Sequence, residues 1–147
     1  MFKNIVCAID GSHHALKAAE VASNLAARFE ARLTLLTVTK ELKATPEVKR
    51  YMEIEHLTGE PQYVLDEMTK EILEAAGAAA REIGVRELKT EVKVGQPART
   101  IVDFAKRSGA DAIVIGSRGL GDIEGALLGS VSHKVASLAE MTVVAVK

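Results

Sequence analysis

Five short apolar runs, at residues 2–9, 33–38, 88–94, 112–115 and 142–146, alternate along the chain with segments whose apolar residues keep helical spacing. Ala15, Ala18, Ala22, Leu25 and Phe29 recur at intervals of three and four, and Leu65, Met68, Ile72, Ala75, Ala79 and Ile83 do the same. Ala98, Ile101, Val102 and Ala105 form a third such face, and Val131, Val135 and Leu138 a fourth. Neighbouring parallel strands need a crossover connection of right-handed sense, so strict strand–helix alternation predicts an α/β fold: one parallel sheet covered by helices on both faces. In the run at 88–94, Leu88, Val92 and Val94 alternate with Glu87, Lys89, Glu91 and Lys93, the pattern of a sheet edge. With the third strand at an edge, the strand order becomes 3-2-1-4-5. A topological switch point then falls between strands one and four, where the loops beginning at Asp10 and Gly116 diverge and leave a crevice.

The 147 residues suit one domain spanning 1–147, and a net charge of −1 gives no field to gather nucleic acid. With Phe 3, Tyr 2 and Trp 0, a base-stacking platform is equally unsupported. One cysteine, Cys7, excludes an intrachain disulfide and a multi-cysteine metal site. The opening apolar run is too short for a signal peptide, and nowhere do 18 apolar residues run together, so the expectation is a cytoplasmic protein without a membrane span. Residues 40–61, with Pro46, Gly59 and Pro61, make the single long connection, expected as a flap or a short extra helix.

Residues 116–130 hold five glycines between a strand and a helix. Such a loop can turn main-chain amides inward and rest an anion on the helix N-terminus. It is not a Walker A loop, since Asp122 stands where the lysine belongs, and it misses the dinucleotide fingerprint because Gly125 comes one residue late. The spacing Gly116, two residues, Gly119, nine residues, Gly129-Ser130 fits another pattern in full. Together with Asp10-Gly11-Ser12 after the first strand and Gly129-Ser130-Val131-Ser132 at the last helix, it resembles the universal stress protein family, specifically its ATP-binding branch, over the whole chain.

That resemblance implies an ATP-binding domain, with Mg²⁺ or Mn²⁺ as the companion ion. It also implies a homodimer joined through the last strand, an as yet unspecified protein partner, and a role in stress or energy-status regulation with slow hydrolysis at most. Carried over, Gly116, Gly119, Gly129 and Ser130 form the phosphate and ribose cradle, Asp10 stands beside the adenosine, and the backbone of Val38 meets adenine. Gly11, Arg118 and Val131 flank these positions and complete the expected set, with His133 and Lys134 as further countercharges. Asp122 and Glu124 depart from the pattern by placing negative charge in the loop, which favours either a bridging divalent ion or a dimeric interaction module that has lost nucleotide. The absence of proline at Glu140-Met141-Thr142 bears on the dimer edge alone.

Plainer readings stand beside these. Asp10 can brace its turn with Ser12, Ser130 can cap its helix, and Cys7 reads as a small buried hydrophobe. Adjacent His13 and His14 point in different directions at a helix start, without a partner at ligand spacing. Adenylating enzymes of related fold carry Ser-Gly-Gly or His-x-Gly-His loops that Asp10-Gly11-Ser12-His13-His14 lacks, and Val94-Gly95 ends strand three where a receiver domain needs aspartate.

Overall fold

The computed structural model describes residues 1–40, 45–119 and 129–147. Strands β1 (Asn4–Ala8), β2 (Arg32–Thr39), β3 (Leu88–Val94), β4 (Ala112–Gly116) and β5 (Thr142–Val146) form one parallel sheet in the spatial order β3-β2-β1-β4-β5. Helices α1 (His13–Phe29), α2 (Pro46–Ile54), α3 (Pro61–Ile83), α4 (Pro97–Arg107) and α5 (Ser130–Leu138) connect them. The single-domain α/β class and the 3-2-1-4-5 order read from the alternation and from the charged third strand are therefore those of the molecule.

Strand parity divides the core into two layers. Ile5, Cys7, Leu33, Leu35, Ala112 and Val114 face α1 and α3, whereas Val6, Ala8, Leu36, Ile113 and Ile115 face α4 and α5. Burying each of the larger side chains contributes about 1.5–3 kcal/mol, so the three central strands carry most of the hydrophobic stabilisation. β3 lies at one edge with Val92 and Val94 exposed. The Lys93 ammonium sits 5.8 Å from the Phe104 ring centroid, which covers part of that edge.

α1 starts where Ser12 caps it, its Oγ accepting the Ala15 amide at 3.2 Å. Ala15, Ala18, Ala19, Ala22 and Ala26 bury its sheet-facing side. Leu25 is half-buried, and Phe29 is exposed at the helix end with its ring edge-on to Phe2. In α3 the buried face is Thr69, Leu73, Ala76, Gly77 and Ala80. This is one residue round from the stripe suggested by its larger apolar side chains: Met68, Ala75 and Ala79 are exposed, and Leu65, Ile72 and Ile83 are half-buried flanks. In α5, Val135 is buried, Val131 half-buried and Leu138 exposed.

The long connection contains an extra helix, α2, started by Pro46 and capped by Thr45, whose Oγ1 accepts the Val48 amide at 3.3 Å. Pro61 opens α3 in the same way. Among the described residues no helix is long and apolar enough to cross a membrane.

Candidate functional site

A crevice of about 210 Å³ opens at the carboxyl ends of β1 and β4, at the topological switch point. Leu36 and Val38 of β2, Ile115 of β4, and Pro97 and Ile101 of α4 give it an apolar wall. Asp10 closes the β1 side, and Gly116, Arg118 and Gly119 lead out of β4. Ser130, Val131 and Ser132, the first turn of α5, stand across the mouth. Parity explains the apolar wall, because Leu36, Val38 and Ile115 all project to the α4–α5 side of the sheet.

The main chain of Val38 has a particular position. Leu36 pairs with Ala8, and its carbonyl accepts the Ile9 amide at 2.9 Å, so the peptide groups of Leu36 face β1. Two residues on, those of Val38 face the same way in a parallel ladder, but β1 has already ended at Ala8. Val38 thus directs a donor and an acceptor past the last rung of the β1–β2 ladder, into the opening between the strands.

Asp10 is exposed, and its Oδ1 accepts the Ser12 amide at 2.9 Å. It braces the turn and lines the crevice at once. Gly11, at φ +83, is not among the lining residues, and a Cβ there would meet Ile72 Cδ1 of α3 at 2.9 Å. Gly116 has no side chain because α1 occupies the space: a Cβ there would lie 2.7 Å from the His14 carbonyl carbon. Gly129 is the N-cap of α5 at φ −71, a value open to any residue, and Ser130 is the first helical residue rather than the cap.

The stem of the loop leaving β4 is closed by a serine cluster. The amide of Ser117 donates to the Val146 carbonyl, and the Ser117 carbonyl accepts both the Gly129 amide and the Ser132 hydroxyl. The amides of residues 117 and 129 are thereby engaged within the protein. The first-turn amides of a helix have no acceptor within it, and Ser130, Val131 and Ser132 of that turn line the crevice. Gly121, Asp122, Glu124 and Gly125 lie outside the described residues.

Of the nine residues expected at a nucleotide site, Asp10, Val38, Gly116, Arg118, Gly119, Ser130 and Val131 line this crevice, and Gly11 and Gly129 adjoin lining residues in sequence without being among them. His133 and Lys134 are exposed on α5 away from the lining. Pro97 and Ile101 had no sequence signal beyond the amphipathic face of α4, because the crevice borrows its wall from a helix remote in sequence. Among the described residues no three His, Cys, Asp or Glu side chains gather as a metal site. The rings of His13 and His14 are 6.3 Å apart at 80°, and His14 turns its Nδ1 to the Ser117 hydroxyl instead, at 3.0 Å. Cys7 is fully buried, and that burial pushes its thiol from an ordinary 9.0 up to about 12, far from a nucleophile at neutral pH.

A doubly wound parallel sheet, open at its switch point and faced there by a helix N-terminus, defines an α/β domain of the class that receives small ligands at the carboxyl ends of its strands. The universal stress protein family model matches residues 1–147, and the chain belongs to that family. It is 37% identical to the universal stress protein YxiE of Bacillus subtilis over 157 residues, covering all of both chains. A universal stress protein of Thermus aquaticus is 36% identical over 151 residues, again end to end. Among solved structures, the hypothetical protein MJ0577 superposes with a TM-score of 0.80 at 29% identity, over 100% of this chain and 96% of that one. A universal stress protein in complex with cAMP superposes at 0.71 with 28% identity, over 99% and 97%.

Proposed function

We propose that this protein is a nucleotide-dependent regulator that holds ATP in the crevice between β1 and β4. The observation that carries the reading is the coincidence, in one crevice, of an apolar slot, an unladdered strand backbone and a helix N-terminus. The slot of Leu36, Val38, Ile101 and Ile115 suits the faces of a purine. The peptide groups of Val38 supply a donor and an acceptor for its edge, and the carboxylate of Asp10 can accept from a ribose hydroxyl. The volume of about 210 Å³ lies below the ~300 Å³ at which sites for whole drug-sized ligands begin, so it takes base and ribose, and the phosphates reach the open mouth. There the first turn of α5 meets them, and an anion at a helix N-terminus gains about 0.3–1 kcal/mol, more when partly buried. The relative solved with cAMP carries an adenine nucleotide, which supports the same ligand class here.

A divalent ion, Mg²⁺ or Mn²⁺, would offset the phosphate charge and would be held on the protein side by a carboxylate. Among the described residues that line the crevice, Asp10 is the carboxylate. Turnover takes a minor place in this reading, because Asp10 already accepts the Ser12 amide and is better placed to orient than to deprotonate water. Regulation then works by population shift: a partner that distinguishes the filled from the empty crevice reads the nucleotide level. A homodimer through β5 belongs to the same proposal. That strand ends the sheet with the uncharged run TVVAV, whereas the opposite edge, β3, is guarded by Lys89, Glu91 and Lys93. Sedimentation at twice the 15.7 kDa chain mass is the expected result, and monomer sedimentation contradicts it.

Calorimetric titration of nucleotide-free protein with ATP, with and without Mg²⁺, tests the function. Saturable heat and a raised melting temperature are expected. A flat trace with no thermal shift at millimolar ATP overturns the reading and leaves an interaction module of the same fold.

A further inference from the structure

We infer that His14 is a positioning residue that ties the two walls of the crevice together through Ser117; the inference rests on the nucleotide reading above. His14 and Ser117 are not among the crevice-lining residues, yet they join α1 to the ends of β4 and β5 and to the start of α5. Ser117 is buried, with 1% of its surface exposed, and each of its polar groups is committed to a different element. Its amide goes to Val146 at the end of β5, its carbonyl receives Gly129 and Ser132 at the start of α5, and its hydroxyl meets His14 Nδ1 of α1 at 3.0 Å. The Ser132 hydroxyl, also buried, has the Gly129 carbonyl at 3.1 Å as a second acceptor within the first turn of α5, while the junction between the β4 loop and α5 is closed by the Gly129 amide and the Ser132 hydroxyl on the one Ser117 carbonyl.

On the other wall, Asp10 holds the Ser12 amide, and Ser12 caps α1. His14 follows two residues later in the first turn of that helix. Gly116 lets this turn lie directly on the end of β4, since even a Cβ there would be 2.9 Å from the Ala15 nitrogen. The close approach brings the imidazole within reach of Ser117. A hydrogen-bonded path thus runs from Asp10 through the first turn of α1 and His14 to Ser117, and from there to the first turn of α5. The imidazole is a side-chain link in that path from α1 to the loop leaving β4. In either tautomer the ring nitrogen and the hydroxyl can pair, one donating and the other accepting. Breaking the link frees the α5 wall to shift relative to Asp10, and ligand affinity then falls by the fraction of molecules out of register.

Asparagine places an amide atom where the imidazole has Nδ1, whereas glutamine and alanine do not, and this gives the test. ATP titrations of wild type, His14→Asn, His14→Gln, His14→Ala, Ser117→Ala and the double alanine variant are compared, with amide exchange at Gly129 followed in each without nucleotide. Affinity is expected to fall about tenfold in His14→Ala, His14→Gln and Ser117→Ala, the loss of one part-buried hydrogen bond, and no further in the double variant. His14→Asn should retain affinity, and Gly129 exchange should quicken only in the variants that lose affinity. Equal loss in His14→Asn and His14→Ala, additive losses in the double variant, or unchanged Gly129 exchange in His14→Ala overturns the inference. A wild type that gives no heat with ATP, while Gly129 exchange still follows the Asn–Ala distinction, overturns the nucleotide reading but leaves the link between the walls standing.

Discussion

One methyl group added at Gly116 would meet the main chain of α1 on two atoms, the His14 carbonyl carbon at 2.7 Å and the Ala15 nitrogen at 2.9 Å. Backbone cannot rotate aside as a side chain can, so Gly116→Ala is expected to destabilise by about 1–3 kcal/mol in denaturant titration, whether or not nucleotide is present. The glycine pattern in the sequence marks this position correctly as one that tolerates no side chain, but the neighbour that forbids it is a helix. The pattern alone does not separate a ligand from a packed element, because both exclude a Cβ. Asp10 has a similar duality, a turn brace that also faces the crevice. Cys7 behaves as its sequence context suggests. With its thiol raised to about 12 in the fold, folding favours the protonated form, so its contribution to stability is whole below the ordinary thiol range and is lost as pH climbs from about 9 towards 12. Labelling by a thiol reagent at pH near 8 should accordingly proceed only at the rate of unfolding; rapid labelling of native protein contradicts this.

At the scale of elements, every strand was legible from its β-branched run, and the charged third strand was legible as an edge because alternating Lys and Glu leave only one face to bury. The existence of α3 was equally plain, and its buried face was not. Large apolar residues at Leu65, Met68 and Ile72 draw the eye to one stripe, whereas the helix sits on the sheet through Ala76, Gly77 and Ala80, whose small size permits close approach but gives little hydropathy signal. Two substitutions one position apart distinguish the faces. Ala79→Lys should change stability by no more than about 0.5 kcal/mol, whereas Ala80→Leu, at a position with no exposed surface, should cost about 1–3 kcal/mol. Equal effects in chemical denaturation contradict the rotated face.

For the whole molecule, topology was the most legible level, since placing the charged third strand at an edge, consecutive strands side by side and strand four back beside strand one gives the observed order. The order in turn locates the crevice, and most of the residues that the motifs single out come to it. What the sequence held back is the wall supplied by Pro97 and Ile101 and the path through His14 and Ser117, both made by elements that meet only after the sheet is assembled. The proposed function requires an adenine nucleotide in that crevice, base against β2 and phosphates against α5. The most direct measurement is an amide chemical-shift map of the protein titrated with ATP. The largest changes are predicted at Asp10, Val38, Ser130 and Val131, with residues of the α3–β3 groove such as Thr69 and Thr90 unmoved; shifts centred on that groove, or none at saturating ATP, would contradict the account.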